Sequence, residues 1–258
     1  MQCFCNDANS VYHSLQASLT RRFRNTYLQA AYTFSKSIDE VSNDTTAFNT
    51  VVNDQTNLKT SRGLSDFDRT HRFIVSYVYA LPFFSKQRGF KHAVLAGWSV
   101  DGIVTFQSGT PFTVVDSAGG STYTPIGPDQ STASFALGAN VHTAQTSGSA
   151  KDRLGAYLNR SAFQPAPVVG PDGSTGYGNL GRNIFRGPFE QNWDFSLGKI
   201  FPITEKQRIN FRSEFFNMWN HANFRNPSFV DVSGPNFGAI TSTAGTPRII
   251  QFVLRYQF

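Results

Sequence analysis

RIIQFVLRYQF, residues 248–258, places Ile250, Phe252, Leu254, Tyr256 and Phe258 on every second position, with Gln251, Val253, Arg255 and Gln257 between them. Successive side chains of an extended strand point to opposite faces, so this segment has one apolar face and one largely polar face. Terminal residues of soluble domains are ordinarily polar and frayed, because little offsets the entropy of ordering them. A two-faced strand here implies that both faces meet defined surroundings.

The same period of two recurs at Tyr12–Phe23, Thr26–Lys36, Arg72–Leu81, Gly97–Gln107, Asn192–Lys199, Arg208–Phe216 and Ile249–Phe258. Each segment is close to the ~9–11 residues that a tilted transmembrane strand requires. No helical period of any length competes with them. Composition agrees: the 258 residues are 40% apolar and only 16% charged, with 25 phenylalanines. No run approaches the ~18 apolar residues of a spanning helix. These features give an all-β fold class, an antiparallel transmembrane β-barrel.

The connections sort by length. The links at Arg24–Asn25, through PFFSKQRGF and around FPITEKQ are short, whereas 37–71, 108–191 and 217–248 are long. Outer-membrane barrels alternate short periplasmic turns with long extracellular loops in this way, which sets the direction of every strand. The faces agree. Leu15, Ala17, Leu19, Leu28, Ala30, Tyr32, Phe34, Phe73, Val75, Tyr77 and Tyr79 make an outward row that continues through Val100, Val104, Phe195, Phe211 and the terminal strand. An Arg or Lys at mid-depth on that row would cost ~2–4 kcal/mol, and none is present there. Arg21, Lys36 and Lys199 share its parity, but at the ends of their segments, where they are expected to snorkel to the interface. Tyr79, Trp98 and Trp193 are candidate members of an aromatic girdle. On the opposite row Asp194, Arg208, Arg212, Glu214 and Arg255 are candidates for a lumen charge ladder that pins register and solvates the wall.

Other signals carry little chemistry. The net charge is +6, but Arg21, Arg22 and Arg24 form the only tight basic cluster, so no nucleic-acid surface is expected. Cys3 and Cys5 have no second pair to complete a metal site. GYGNLG, residues 176–181, matches G-x-G-x-x-G without the strand and helix that a dinucleotide fingerprint needs, and reads as a flexible loop. Ser196 and Lys199 match S-x-x-K, yet positions three apart on a strand face opposite ways. The Asp/Asn-rich stretch IDEVSNDTTAFNTVVNDQ lacks the order of a calcium loop and reads as solvated. The expectation is therefore a protein that is not an enzyme and holds no cofactor or metal.

The stretches YHSLQASLTRRFRNTYLQAAYTFSKSID, LSDFDRTHRFIVSYVYALPF, GWSVDGIVTFQSGTPFTV, GNLGRNIFRGPFEQNWDFSLGKIFPI and INFRSEFFNMWNHANFRNPSF, with the terminal strand, resemble the C-terminal barrel of TonB-dependent receptors. The resemblance is closest to the Oar-like group that carries a carboxypeptidase-regulatory-like domain. It implies a barrel of about 22 strands with a plugged lumen, in the cell outer membrane of a Gram-negative bacterium. Implied partners are the barrel-assembly machinery, the TonB energy-transducing complex acting through a plug, outer-membrane lipid and lipopolysaccharide, and an unknown transported substrate. Phe252, Leu254, Tyr256 and Phe258 resemble the family's assembly signal.

Without a signal peptide or plug in view, the expectation is a fragment: residues 1–9 a non-native or unstructured start, and 10–258 the last seven strands of a larger receptor. Such a piece supplies part of the barrel wall and loops that contact substrate. The contrasting reading is a soluble secreted β-sandwich that binds glycan or matrix through its long loops. A serine hydrolase using Ser196 and Lys199 is the third.

Overall fold

The computed structural model describes residues 8–42, 53–54, 57–83, 89–119 and 131–258. The strands β1 (Ser10–Phe23), β2 (Thr26–Asp39), β3 (His71–Ala80), β4 (Trp98–Gln107), β5 (Glu190–Pro202), β6 (Arg208–Phe216) and β7 (Ile249–Gln257) lie side by side in chain order. Every adjacent pair is antiparallel. The period of two thus marks one continuous meander, not two sheets packed face to face. β1, β2 and β5 run further than their patterns indicate, to Ser10, Asp39 and Pro202. Asn9, expected in an unstructured start, continues the first hairpin by donating its amide to Glu40 at 2.9 Å.

Short links sit at one end of the sheet. Arg24, with φ of 44°, takes the left-handed conformation that a two-residue hairpin turn requires. Between β5 and β6 the amide of Ile203 closes on the carbonyl of Gln207 at 2.9 Å. A one-and-a-half-turn helix, α1 (Phe90–Leu95), fills the link between β3 and β4. β1 and β7 are the edges, and both run towards this end. They cannot pair antiparallel with each other, and the sheet stays open.

The register keeps the two faces separate. Leu15 pairs with Phe34, Ala17 with Tyr32, Ala30 with Val75, Phe73 with Phe106, Val104 with Trp193, Phe195 with Phe215 and Phe211 with Leu254. Gln16 pairs with Thr33, Thr33 with Arg72, Arg72 with Gln107, and Ser196 with both Asp101 and Glu214. A slip of one residue on any strand would exchange the rows. Apolar residues on the outer row remain exposed, among them Leu15 at 66% and Leu254 at 72%. A row of that size has to be covered by a partner or by lipid.

The hydrophobic core lies elsewhere, in the long links at the other end. Short ladders join Pro111–Phe112 to Phe185–Arg186, Val115–Asp116 to Ser131–Thr132, and Ser134–Phe135 to Phe163–Gln164. Around them Phe112, Val114, Leu158, Phe163, Leu180, Phe185, Phe237 and Ile240 are buried together. Phe163 packs against Phe185 at 5.6 Å and Phe237 at 5.2 Å, edge to face. Two loops distant in sequence therefore share one apolar centre and form a cap.

If the outer row faces hydrocarbon, Val75→Arg or Phe195→Arg in the full-length protein should cost about 2–4 kcal/mol and sharply reduce folded barrel in the membrane fraction. Thr33→Arg and Gln107→Arg should leave that fraction near wild type. Heat-modifiable migration on gels reads the folded species, and equal effects at all four positions would reverse the assignment of faces.

Candidate functional site

The cap is held to the wall by buried charge. β2 ends at Asp39, on the polar row, and its carboxylate meets the guanidinium of Arg182, both almost fully buried. The same guanidinium donates to the carbonyl of Leu64 at 3.2 Å. Four residues on, Arg186 pairs with buried Asp68, whose other oxygen accepts the amide of Ser37 at 2.6 Å. Arg69 bridges Glu190 at 2.7 Å, tying the top of β3 to the top of β5. Between the arginines, Asn183 turns in the left-handed region (φ 58°) and donates to the carbonyl of Leu64 and the carboxylate of Asp66. Arginine suits these places because its planar fork serves several acceptors at once.

Beside this latch is a polar cavity of about 470 Å³, lined by Arg69, Thr110, Glu190, Arg225, Asn226, Ser228 and Ser242. Arg225 is fixed through Nε to the carbonyl of Thr243 at 3.1 Å. Asn226 is fixed by donating to the carbonyl of Pro111 at 3.1 Å. Deeper in the cap, burial pushes the Tyr157 phenol above its usual pKa, against the lowering influence of Arg153, and it donates to the carbonyl of Arg186 at 3.0 Å. Burial also acts to raise Asp231, but hydrogen bonds from Ser117 and Ser233 outweigh it and hold the carboxyl below the usual range.

Below the cap the inner row carries a smaller network. Arg212 reaches across β5 to Asp101 of β4 and also pairs with Glu214, each at 2.6 Å. Gly198, directly opposite Arg212, leaves the path open: a Cβ there would stand 2.9 Å from the Ser99 hydroxyl. Of the five ladder candidates only Arg212 and Glu214 meet. Asp194 instead accepts the Asn217 amide at 3.0 Å, and Arg208 donates to Gln257. Arg255 stands opposite Asn210 without an ion pair among the described residues. Asp101 was missing from the expected ladder because that ladder was confined to the last three strands and Asp101 lies on β4, two strands from Arg212.

A family model described as outer membrane beta barrel domain matches residues 1–251. The chain belongs to that family. No curated protein and no solved structure matches it. Membership locates the domain in the outer membrane of a Gram-negative bacterium and does not favour the soluble sandwich.

In this outer membrane barrel domain the remaining candidates fall as follows. Tyr79 and Trp98 stand on the outer row near the short-turn end, and Trp193 on the same row near the cap. Phe252, Leu254, Tyr256 and Phe258 form an exposed aromatic and aliphatic row on the edge strand β7. Three expectations need correction. Lys199 does not snorkel: β5 continues past it, and it is 2% exposed. Its ammonium donates to the Ala96 carbonyl and lies between Trp98 and Phe201, at 5.1 and 4.7 Å from their rings. GYGNLG is not a flexible loop. Leu180 is buried in the cap, and a Cβ on Gly178 would lie 2.0 Å from the Thr132 carbonyl oxygen. The Asp/Asn-rich stretch is not solvated throughout, since Asp39 and Glu40 are buried; its residues 43–52, like Cys3 and Cys5, lie outside the described residues. Ser196 and Lys199 do face opposite ways, on the polar and apolar rows.

Breaking a buried pair strands the other charge, at a cost of about 3–5 kcal/mol. Arg182→Met should therefore loosen the cap in the assembled protein, seen as faster protease cleavage within 131–189 at unchanged barrel content. The double change Asp39→Leu with Arg182→Met, which strands neither charge, should recover part of the resistance. Cleavage in Arg182→Met at the wild-type rate would show that the latch does not hold the cap.

Proposed function

We propose that the domain is the C-terminal part of a TonB-dependent outer-membrane receptor of the Oar-like kind, a transporter component that catalyses no reaction. In this reading the seven strands are a portion of a larger wall, completed by strands that pair with β1 and β7. The long links face outside, and the short turns face the periplasm. The TonB complex supplies energy through a plug. The barrel-assembly machinery grips the outer row of β7, and outer-membrane lipid and lipopolysaccharide cover the apolar face.

The observation that carries the reading is the cap. The described parts of links 108–191 and 217–248 share a common core and are latched to the wall beside a polar cavity. A fixed polar recess at the mouth of a barrel suits capture of a solute better than passive closure would. The resemblance of the strand and turn sequences to TonB-dependent receptors supports the energy source.

The test compares solutes depleted from the medium by cells with and without the full-length gene, with TonB active or inactivated. The reading expects a solute whose depletion needs both, and which falls at least about tenfold in Arg225→Ala at equal barrel content, the scale of one lost charge-assisted contact. Depletion that needs the gene but ignores TonB would sink the TonB assignment. Depletion unchanged in Arg225→Ala would remove the cavity from it.

A further inference from the structure

The outer row is uncharged over most of its height; Arg21 and Lys199 lie at its short-turn end, and its other exceptions gather at the cap end. At the cap end, His13 of β1 is the direct cross-strand partner of Lys36 of β2. His71 of β3 partners Phe34, two residues from Lys36 on the same row. All three side chains are exposed. Neighbouring strands lie about 4.8 Å apart and diagonal positions about 7–8 Å, so the three groups fall within one headgroup's reach. On the outer row of β4 to β7 no Lys, Arg or His stands at this level. Arg248 lies just above the end of β7, across the sheet. The nearest carboxylate on the row, Glu40, is buried and accepts from Asn9.

The group is also shaped. The Tyr32 hydroxyl and His71 Nδ1 are 2.8 Å apart, and the His71 ring packs on Phe34 at 5.3 Å, which fixes the imidazole and leaves its Nε2 edge without a partner among the described residues. Lys36 has no ion pair or hydrogen bond among them either. Directly below, Leu15, Leu19, Phe34 and Phe73 present exposed apolar surface. A cationic rim above an apolar bed is complementary to an anionic headgroup that carries acyl chains. Charges that merely snorkelled would need neither the fixed ring nor the grouping on three adjacent strands.

We propose that His13, Lys36 and His71 form a binding site for the phosphate-bearing headgroup of an outer-leaflet glycolipid, with its acyl chains lying on Leu15, Phe34 and Phe73. Phosphate oxygens accept from the Lys36 ammonium and the imidazole N–H groups. The site rests on the orientation in which the long links face outside, and it is independent of transport.

The test is native mass spectrometry of the full-length protein in detergent with three added lipids: bisphosphorylated lipid A, the same lipid A after phosphatase treatment, and phosphatidylglycerol. Wild type should retain bisphosphorylated lipid A and lose it on dephosphorylation. His13→Gln with Lys36→Gln and His71→Gln should reduce retention at least about tenfold, and Lys36→Gln alone should reduce it measurably. Arg21→Gln, at the other end of the row, should leave it unchanged. Equal retention by the triple variant, equal retention of the dephosphorylated lipid, or an equal loss in Arg21→Gln would overturn the site. Phosphatidylglycerol held as tightly would overturn the glycolipid assignment. Ser228→Cys should be labelled on intact cells by a membrane-impermeant reagent, and no labelling above that of the unsubstituted protein would overturn the orientation and the outer-leaflet assignment with it.

Discussion

Hydrocarbon offers no hydrogen bonds and tolerates no stray charge. The wall of this domain follows from that constraint, and the cap is built where it ends. Backbone groups at depth have to be paired, here between strands, and one side of every strand has to be apolar, which imposes the period of two. The register shows the result. Outer residues pair with outer residues across all seven strands, and Arg212, Glu214 and Asp101 meet only on the inner face. Because lipid covers the outer row, the strands need no packed core of their own.

Outside the bilayer the rules reverse. The long links are in water, and they are stabilised as soluble domains are, by burying phenylalanine, leucine and valine around short ladders. Their attachment uses a different interaction again. Buried Arg182 meets Asp39 and partly exposed Arg186 meets buried Asp68, with the Leu64 carbonyl accepting a further donor of Arg182. Such pairs add modest net stability but penalise any arrangement that separates them. They fix where the cap sits, and so where the polar cavity beside Arg69 and Glu190 opens.

The wall was legible in the sequence because the bilayer writes the same short-range pattern into every strand. Ile250 to Phe258 could be read without knowing a single partner. The cap could not, since its contacts follow no period: Arg182 meets Asp39 across 143 residues, and the phenylalanines of its core are spaced irregularly. A signal was nonetheless present. SDFDR, at 65–69, and GRNIFRG, at 181–187, set opposite charges in two separate links. Reading the two as a pair would have indicated the latch. Lys199 was misread for a local reason: parity and proximity to a segment end suggested the interface, whereas the link through α1 supplies a carbonyl, and Trp98 of β4 and Phe201 of β5 supply two rings, beside its ammonium.

The central claim is that one face of this sheet meets lipid and the other meets water. Spin labels placed singly at each position from Arg208 to Phe216, in the full-length protein reconstituted into bilayers, test it most directly. Collision with oxygen, which concentrates in hydrocarbon, should peak at Ile209, Phe211, Ser213 and Phe215. Collision with a water-soluble nickel chelate should peak at Arg208, Asn210, Arg212 and Glu214. Accessibility to the chelate at both sets alike, with no alternation along β6, would contradict the account.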